Sequence, residues 1–390
     1  MVTPFIFARL PLIYFGAGKI NMLIDIAKRY GNSALIVTGS KSFIKSQVGE
    51  ALFSEFKSRD FEIHHVMVSG EPSPATVDDT VNSLKDARID IVISVGGGSV
   101  IDTGKAISAM LPLKEPLKEY LEGIGRKKHP GIKVPFIAVP TTAGTGSEAT
   151  NNAVISEVGE NGFKKSLRHD NFVPDVAIVD PQLTISCPEE VTAWSGMDCF
   201  TQLVEAFLSN KASIYTDVLA LEGIKAVKSS LIIAYQNADN IEARSGMSFA
   251  ALTSGICLTS AGLGAVHGFA SAIGAMYRIP HGIICGTLMA KANEVNVRIL
   301  RRDSLNNLAL EKYETLGRLF LEEENKSRDY YIDGFIAFLH ELTGKLNMPL
   351  LGKFGVKAED VKKICSKTEI KNNPVALQNN DLEEILISRI

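Results

Sequence analysis

The sequence predicts an α/β domain over residues 1–185, followed by an all-helical domain over residues 186–390. In the first half, short unbroken apolar runs alternate with longer stretches of helical periodicity, a pattern typical of a parallel sheet with crossover helices. In the second half the short runs disappear and long helical stretches follow one another. The length of 390 residues also favours two domains, because one hydrophobic core rarely serves so long a chain.

Four apolar runs of the first half are predicted strands. Strands that helices cover on both faces consist of consecutive apolar or β-branched residues, without the alternation of a half-exposed strand. The runs are Leu35–Thr38, Ile91–Val95, Phe136–Val139 and Val176–Val179. The predicted helices of this half are Lys19–Tyr30, Phe43–Lys57, Thr76–Asp86 and Asp102–Met110. Strand, crossover helix and strand in repetition predict a doubly wound sheet.

The second half, beyond Pro188, carries five predicted helices: Val191–Ser209, Thr216–Ala234, Ala243–Ser260, Leu305–Leu321 and Gly334–Leu346. The tract from Ser245 to Tyr277 contains no Asp, Glu, Lys or Arg and is long enough to cross a bilayer. It consists mostly of Ala, Gly, Ser and Thr, and such small residues favour close helix packing over insertion into lipid. We therefore expect a soluble protein without a membrane partner.

The composition argues against several other classes of protein. The 41 Lys and Arg residues against 44 Asp and Glu give a net charge of −3, whereas a nucleic-acid-binding surface normally brings a basic excess. The five cysteines are scattered and form no CxxC pair, as expected in a reducing compartment. The first twenty residues lack a basic region followed by an apolar run and a cleavage site, so we expect a cytoplasmic protein.

A glycine-rich turn, Gly96-Gly97-Gly98-Ser99, directly follows the predicted strand Ile91–Val95 and precedes a predicted helix. This order suits phosphate binding, because glycines let the backbone approach an anion and the helix N-terminus offers N–H groups. The turn matches neither the GxGxxG fingerprint nor the GK[ST] of a P-loop. For this motif alone, a tight turn without a ligand is the alternative.

A second glycine-rich turn, from Pro140 to Glu148, follows the next predicted strand and contains Thr141 and Thr142. The carboxyl ends of parallel strands meet at one edge of a sheet, where open α/β folds bind their ligands. Threonine hydroxyls at that edge can bond a ribose or a diphosphate. The two turns together therefore predict a dinucleotide site.

The helical half contains a candidate metal site. Asp198 lies on a predicted helix one turn before Gln202, so the two side chains share a face. With His267 and His281, Asp198 gives two imidazoles and one carboxylate, a set that suits Fe(II) or Zn(II) and leaves coordination positions open. Taken singly, a solvated helical Asp and hydrogen-bonded core His residues are the alternatives.

Four stretches resemble, in order and separation, the signatures of the iron-containing (group III) alcohol dehydrogenase family. They are GGGSVIDTGKAIS, PTTAGTGSEAT, GMDCFTQLVEAFLS and GLGAVHGFASAIGAMYRIPHG. The resemblance covers essentially the whole chain and implies a dinucleotide-binding α/β domain, a helical metal- and substrate-binding domain and an active site in the cleft between them. It also implies a homodimer, an NAD or NADP cofactor, Fe(II) or Zn(II), and a small alcohol or aldehyde as substrate.

The resemblance assigns roles to individual residues as well. The family's diphosphate loop falls on Gly97, Gly98, Ser99 and Asp102, its second cofactor loop on Thr141 and Thr142, and its metal ligands on Asp198, Gln202, His267 and His281. Typical members carry His where this chain has Gln202, and often another His where it has Ser271. Because a Gln oxygen is a weaker ligand than imidazole, we expect a loosely bound metal or one held by three residues. The change at Ser271 affects the family's proton relay and leaves His281 and a water as the candidates for proton transfer. His281 and Ser271 are the candidate catalytic residues.

The cofactor preference is predicted from the residues that follow the first predicted strand. NAD-preferring members of the family tend to carry Asp at the position of Gly39, where a carboxylate binds the ribose 2′-hydroxyl and repels a 2′-phosphate. Gly39 removes that repulsion, and Ser40 and Lys41 can contact the phosphate. We therefore expect NADP(H) to be accepted and preferred.

Other interpretations remain open at this point. Lys164 is a candidate for cofactor contact, and with Lys165 and Arg168 it could face an anionic substrate, although a solvated loop is the simpler interpretation of this basic segment. For the whole chain, the alternatives are a glycerol-dehydrogenase-like polyol dehydrogenase, a dehydroquinate-synthase-like lyase, and a nucleotide-binding protein that has lost its metal.

Overall fold

The first half of the chain forms a six-stranded parallel sheet in the computed structural model, which describes residues 4–40, 43–303 and 307–390. In chain order the strands are β1 (Leu12–Phe15), β2 (Ser33–Gly39), β3 (Glu62–Val68), β4 (Ile91–Gly96), β5 (Phe136–Pro140), β6 (Asn152–Glu157), β7 (Phe163–Arg168) and β8 (Val176–Val179). The sheet order is β1-β8-β5-β4-β2-β3, and β6 and β7 form a separate antiparallel hairpin.

Helices cover both faces of the parallel sheet. They are α1 (Leu23–Lys28), α2 (Gln47–Ser58), α3 (Pro74–Ser83) and α4 (Gly98–Met110). Helices α1 and α2 share one apolar core with the sheet, and α3 and α4 share a second core on the opposite face. Short 3-10 segments lie at Lys19–Met22, Leu117–Tyr120, Ser147–Ala149, Asp170–Phe172 and Pro181–Thr184. This confirms the predicted doubly wound α/β fold.

The second half contains only helices within the residues that the structure describes. They are α5 (Glu189–Leu208), α6 (Ile214–Gln236), α7 (Ile241–Ala261), α8 (Ala265–Met276), α9 (His281–Asp303), α10 (Asn307–Leu321), α11 (Arg328–Lys345), α12 (Val361–Lys367) and α13 (Asn379–Ile387), with 3-10 segments at Leu351–Phe354 and Ala358–Asp360. These helices bury one large common core. The predicted all-helical character of this half is therefore confirmed.

The strand order places a ligand-binding crevice between β2 and β4. The chain leaves β2 for β3 on one side and then crosses to β4 on the other side, so the direction of winding reverses between these two neighbours. In open α/β sheets such a reversal opens a crevice outside the carboxyl ends of the strands. Here those ends are Gly39 and Gly96.

Several elements were not predicted, for identifiable reasons. Strand β3 alternates in burial and contains His64 and His65, so it lacks the unbroken apolar run used to recognise the other strands. The hairpin of β6 and β7 replaces the solvated loop expected around Lys164, and that expectation was wrong. Residues 305 and 306 of the predicted helix Leu305–Leu321 lie outside the described residues.

The buried ammonium group of Lys105 fixes the second glycine-rich turn. Its Nζ lies 2.8 Å from the carbonyl oxygens of Ser147 and Asn152 and 2.9 Å from that of Thr150. Burial lowers the pKa of Lys105 to about 8. Because a buried cation must find polar partners, these bonds tie α4 to the chain that follows β5 and hold the two turns together.

A glycine–glycine contact joins that turn to the helical half. Gly146 has φ +62°, in the left-handed region that glycine adopts without strain. A Cβ atom at Gly255 on α7 would lie 2.1 Å from the Gly146 carbonyl oxygen. The two backbones can approach this closely only because both residues are glycine.

The uncharged tract from Ser245 to Tyr277 is divided between two helices. No single helix in the described part of the chain is both long and apolar enough to cross a membrane. Helices α7 and α8 reach that length and apolarity only as a pair, and they are bent by 97° at the break between them.

Candidate active site

A cavity of about 980 Å³ lies between the α/β half and the helical half. Its α/β wall includes Gly97 and Gly98, whereas its helical wall includes Asp198, His267 and His281. A cavity of this size is large enough for an extended organic ligand. The two sets of residues predicted from the sequence therefore face one common space.

The N-terminus of α4 forms a cradle at the α/β wall. Gly97 is the N-cap residue and has no side chain with which to cap the first N–H groups of the helix. A Cβ atom at Gly98 would lie 2.6 Å from Thr145 Cγ2, so the second glycine-rich turn packs directly against the first. Gly97, Gly98 and Ser99 all line the cavity. The thirteen-residue helix thus presents its positive end to the cavity, where an anion is stabilised.

Of the other cofactor-binding residues predicted around the two turns, Asp102 and Thr142 line the cavity, whereas Thr141 has a structural role. Asp102 is buried, and its Oδ2 accepts a hydrogen bond of 2.9 Å from the Val154 backbone N–H. Its Oδ1 has no partner among the described residues, and burial raises the pKa of this carboxyl. Thr142 lines the cavity. Thr141 instead donates its backbone N–H to the Gly96 carbonyl oxygen at 3.0 Å, which fixes the turn.

Gly39 ends β2 beside the Gly96 end of β4, on the crevice side of the sheet. A Cβ atom at Gly39 would meet Val100 Cγ2 at 3.8 Å, which is an ordinary van der Waals contact. Ser40 follows as an exposed residue, and Lys41 lies outside the described residues. The structure therefore leaves room for a larger side chain at Gly39.

Lys164 lies on β7 and lines the cavity. Its side chain is 6% exposed, and its Nζ lies 2.8 Å from Glu71 Oε2. Burial raises the pKa of the Glu71 carboxyl, but the Lys164 charge more than offsets this and brings it below its usual value. Lys164 is thus a buried cation of the cavity wall.

Three helices bring the predicted metal ligands together. Asp198 lies on α5, His267 on the first turn of α8 and His281 at the start of α9. Asp198 Oδ1 lies 3.3 Å from His267 Nε2 and 3.7 Å from His281 Nε2. One carboxylate and two imidazoles therefore converge, and this donor set fits Fe(II) or Zn(II).

The electrostatics of this cluster favour an ionised carboxylate. Burial raises the pKa of Asp198, but the charge of His281 and the hydrogen bond to His267 bring it to about 2. Burial lowers the pKa of His281. Burial also lowers the pKa of His267, yet its neighbours Cys285, Asp198 and Glu205 raise it well above the usual value. The anionic oxygen attracts a divalent cation, and binding of the cation requires His267 to release the proton that its neighbours stabilise.

Glu205 is a site residue that the sequence analysis missed. Its Oε2 lies 2.7 Å from His267 Nδ1, and its Oε1 accepts a 2.7 Å hydrogen bond from the Val266 backbone N–H. Glu205 follows Asp198 by two turns on the same face of α5. That spacing within GMDCFTQLVEAFLS was the available signal. A carboxylate behind an imidazole fixes the ring so that its other nitrogen can bind metal.

Gln202 lies in the cavity wall, but its side-chain oxygen already accepts a hydrogen bond. Its side chain is buried, and its Oε1 accepts a 2.9 Å hydrogen bond from Ser254 Oγ on α7. Ser271 is exposed at the same cavity, and its Oγ donates to the His267 carbonyl oxygen at 3.0 Å. Both positions at which the sequence analysis expects a departure from the family pattern therefore line the cavity.

Cys285 is the second site residue that the sequence analysis missed. Its Sγ lies 3.7 Å from His267 Nε2 and 3.7 Å from His281 Nε2. The donor atoms of Asp198, His267, His281 and Cys285 all lie within 4.8 Å of one another. Burial raises the pKa of the Cys285 thiol to about 12. The spacing of four residues from His281 was a signal for shared helix face.

A phosphate-type cradle and a cluster of metal ligands on facing walls of one cleft are the features of a metal-dependent dehydrogenase. Comparison with known families agrees. The iron-containing alcohol dehydrogenase profile matches residues 11–181, and the C-terminal profile of the Fe-containing alcohol dehydrogenase family matches residues 192–390. The chain belongs to the iron-containing alcohol dehydrogenase family.

Individual relatives cover most or all of the chain. The NAD-dependent methanol dehydrogenase of Bacillus methanolicus is 32% identical over 277 residues, which are 70% of this chain and 71% of that protein. The NADPH-dependent butanol dehydrogenase of Clostridium saccharobutylicum is 27% identical over 383 residues, or 96% and 95% of the two chains. The crystal structure of a 1,3-propanediol oxidoreductase has a TM-score of 0.90 at 28% identity and covers 100% of both chains. The resemblance, the fold class and the class of enzyme are thereby confirmed.

Proposed function

We propose that this chain is a dehydrogenase that interconverts a small alcohol and its aldehyde with NADP(H) as the preferred nicotinamide cofactor and Fe(II) or Zn(II) as the metal. One observation carries the proposal: Asp198, His267 and His281 converge on the cavity that the N-terminus of α4 also faces. A hydride transfer needs the cofactor and the alcohol carbon side by side. A single cleft with both groups of residues meets that requirement.

The α/β wall binds the cofactor in this proposal. Gly97, Gly98 and Ser99 offer backbone N–H groups to the diphosphate, with the α4 dipole behind them. Thr142 adds a hydroxyl from the second turn, whose backbone Thr141 fixes. The Asp102 carboxyl lines the same wall with one oxygen free of partners among the described residues. Lys164 supplies a cation to the wall.

Gly39 and Ser40 supply the preference for NADP(H). The residues lie at the carboxyl end of β2, where a carboxylate would repel a 2′-phosphate and glycine does not. The relatives include both an NAD-dependent and an NADPH-dependent enzyme, so the preference within the family varies. Lys41 completes the predicted phosphate contact and lies outside the described residues.

The helical wall holds the metal and orients the substrate. Asp198, His267 and His281 are the proposed ligands, and Glu205 keeps the proton of His267 on Nδ1 so that Nε2 is free to bind. When bound, the cation supplies a Lewis acid that polarises the substrate oxygen. Gln202 lies at the edge of this site, where its side-chain oxygen accepts the hydrogen bond from Ser254 Oγ.

Proton transfer involves the exposed side of the same wall. Ser271 Oγ donates its hydrogen to the His267 carbonyl oxygen, so at the cavity surface it can act only as a hydrogen-bond acceptor. His281 is one quarter exposed there, and its Nδ1 has no partner among the described residues. We assign these two residues to proton transfer at this wall, where the buried Nδ1 of His281 keeps a position that no described residue occupies.

The substrate class follows from the remaining wall. Val191, Trp194, Ala272 and Pro280 line the helical side of the cavity and give it an apolar surface. An apolar surface of this kind suits short-chain alcohols and aldehydes. The relatives named for methanol and butanol agree with substrates of this size.

Domain limits and assembly complete the proposal. We place the domain boundary between residues 185 and 186, in the segment between the 3-10 turn Pro181–Thr184 and the start of α5 at Glu189. A cytoplasmic location and a homodimer are part of the proposal. The homodimer is supported by an exposed apolar patch in which the Phe5 and Tyr215 rings lie tilted against each other, with centroids 5.1 Å apart, beside the highly exposed Ile6. Neither nucleic acid nor a membrane is a proposed partner.

The test is steady-state kinetics on protein purified without chelator and loaded with Fe(II) or Zn(II). Turnover of two- to six-carbon aldehydes with NADPH is the expected result, and His267→Ala should abolish it. Activity confined to polyols would favour the glycerol-dehydrogenase type, and a non-redox product would favour the lyase. Binding of NADPH without turnover or metal would identify a nucleotide-binding protein instead.

A further inference from the structure

We propose that Cys285 Sγ is a fourth protein ligand of the metal and takes the place that Gln202 does not fill. The donor set would then be one carboxylate, two imidazoles and one thiolate, from Asp198, His267, His281 and Cys285. This inference rests on the proposed function, because it concerns the metal of the same site.

The distances between the donor atoms fit a single tetrahedral ion. Donors bound at the usual 2.0–2.3 Å from a tetrahedral cation lie about 3.3–3.6 Å apart. The four measured separations in this cluster run from 3.3 Å, between His267 Nε2 and Asp198 Oδ1, to 3.7 Å for the other three pairs. All four donor atoms lie within 4.8 Å of one another, so shifts of about 1 Å or less would bring them to one ion.

The sequence places Cys285 at this point by helix geometry. It follows His281 by four residues on α9, so both side chains leave the same face of the helix. The next residue, Gly286, lets α9 approach α5 closely, because a Cβ atom there would lie 2.8 Å from Met197 Cβ. Asp198 comes directly after Met197, and the thiol is thereby brought beside the carboxylate.

The environment of Cys285 differs from that of an ordinary core cysteine. Such a thiol packs against apolar side chains and makes at most a weak hydrogen bond. Cys285 Sγ instead lies at equal distance from two imidazole nitrogen atoms, each of which is a proposed ligand. Its side chain is fully buried behind them, so solvent does not compete for the sulfur.

Gln202 is the weaker candidate for the fourth position. Its amide oxygen is neutral and already accepts the hydrogen of Ser254 Oγ. A thiolate carries a full charge and is softer, and such donors favour Zn(II) more strongly than an amide oxygen does. A bound cation also deprotonates a coordinating thiol. The structure thus places a sulfur donor, Cys285, beside the proposed ligands, whereas the Gln202 oxygen is already hydrogen-bonded to Ser254.

The first experiment is Co(II) substitution with an optical readout. Chelated protein is reloaded with Co(II), and metal content and near-ultraviolet absorption are recorded. A thiolate-to-Co(II) charge-transfer band is expected in the wild type and in Gln202→Ala, and it should be absent in Cys285→Ser. Cys257→Ser is the matched control, because Cys257 is also buried but contacts the Thr216 carbonyl oxygen on α6. Cys285→Ser should also weaken Zn(II) binding by about tenfold or more, since loss of a supporting residue alone costs that much.

A second measurement needs no variant and therefore does not depend on how Cys285→Ser folds. X-ray absorption of the Zn(II)-loaded wild type should show a sulfur neighbour at about 2.3 Å. A shell of nitrogen and oxygen alone, with Zn(II) bound at one equivalent, would overturn the role of Cys285 and leave the proposed function intact. Failure of the wild type to bind any metal would overturn both.

Discussion

Glu205 Oε2 lies 2.7 Å from His267 Nδ1, on the side of the imidazole opposite to Asp198. The same carboxylate accepts the backbone N–H of Val266, so its orientation is fixed by the first turn of α8. A close approach at this point depends on Gly264, where a Cβ atom would lie 3.0 Å from Glu205 Oε1. The ring of His267 is therefore oriented before any metal arrives.

Replacing Glu205 by Gln should weaken metal binding by about 10- to 100-fold, because the neutral amide fixes the ring less firmly and lowers its basicity. The measurement is Zn(II) titration against a chelator of known affinity. Glu222→Gln, a change on the exposed face of α6, is the control and should bind as the wild type does. Equal affinity in the two variants would remove Glu205 from the site.

Replacing Gln202 by Ala should leave the metal content unchanged. The Gln202 oxygen is used by Ser254, and Ser254 Oγ keeps the Ala251 carbonyl oxygen as an alternative acceptor at 2.8 Å. The substitution should instead lower the unfolding free energy by about 1–3 kcal/mol, because it removes the hydrogen bond to Ser254 and leaves a small cavity. Metal analysis and urea unfolding check both parts, with Asp198→Ala as the variant that loses metal. Loss of metal from Gln202→Ala would show that the amide is a ligand.

Replacing Gly39 by Asp should shift the preference from NADP(H) towards NAD(H). Space exists for the side chain, since its Cβ would meet Val100 Cγ2 at 3.8 Å. The new carboxylate would repel a 2′-phosphate and accept a bond from a ribose hydroxyl. The ratio of kcat/KM for the two cofactors is the measurement. Gly39→Asn has nearly the same shape without the charge and should shift the ratio less; a large NAD preference in the wild type would contradict the prediction.

Replacing Gly98 by Ala should raise the KM for the cofactor by about 10- to 100-fold, because small displacements of a binding loop cost that much. The added methyl group would come 2.6 Å from Thr145 Cγ2 and force the two glycine-rich turns apart. Gly344→Ala is the control, since no described atom lies within 4 Å of a Cβ there on α11. Unchanged kinetics in Gly98→Ala would show that the cradle does not bind the cofactor.

Replacing Glu148 by Gln should change how stability depends on pH. Burial raises the pKa of Glu148 from 4.5 to about 7, although its backbone bond and the Lys105 charge act in the opposite direction. Below about pH 4.5 the carboxyl is protonated in both the folded and the unfolded chain, so its burial does not lower the unfolding free energy relative to the variant. As pH rises towards 7 the unfolded chain releases this proton while the folded chain retains it, so the folded state loses about 3 kcal/mol relative to the variant.

Urea unfolding of both proteins at about pH 5 and about pH 8 measures this difference. The unfolding free energy of the wild type should fall relative to Glu148→Gln between the two values. Parallel behaviour of the two proteins would mean that Glu148 is ionised in the folded chain throughout.

The parts of the site that could be predicted from the sequence are those with a local signature. Gly97, Gly98 and Ser99 follow an apolar strand directly, and His267 stands out in a tract without other charged groups. Glu205 and Cys285 carry only the weak signal of helical spacing from Asp198 and His281, and their partner His267 lies 62 and 18 residues away along the chain. Only the packing of α5, α8 and α9 brings them to it.

The same distinction applies to the fold. The buried strands β2, β4, β5 and β8 are unbroken apolar runs and were predicted. The edge strand β1 was missed because it has only four residues, of which the first and last are exposed. The half-exposed β3 was missed because Glu62, His64 and His65 interrupt its apolar residues. The hairpin of β6 and β7 depends on a polar strand, Phe163–Arg168, whose basic residues are paired by tertiary contacts with Glu71, Glu122 and Glu369.

The contact of Gly146 with Gly255 fixes one point at which the two halves of the chain meet, because neither backbone leaves room there for a side chain. All the proposed metal ligands lie on helices on one side of this contact, and the cofactor cradle lies on the other. The ion and the dinucleotide are therefore held by elements with separate hydrophobic cores, so release of the dinucleotide requires no metal ligand to move.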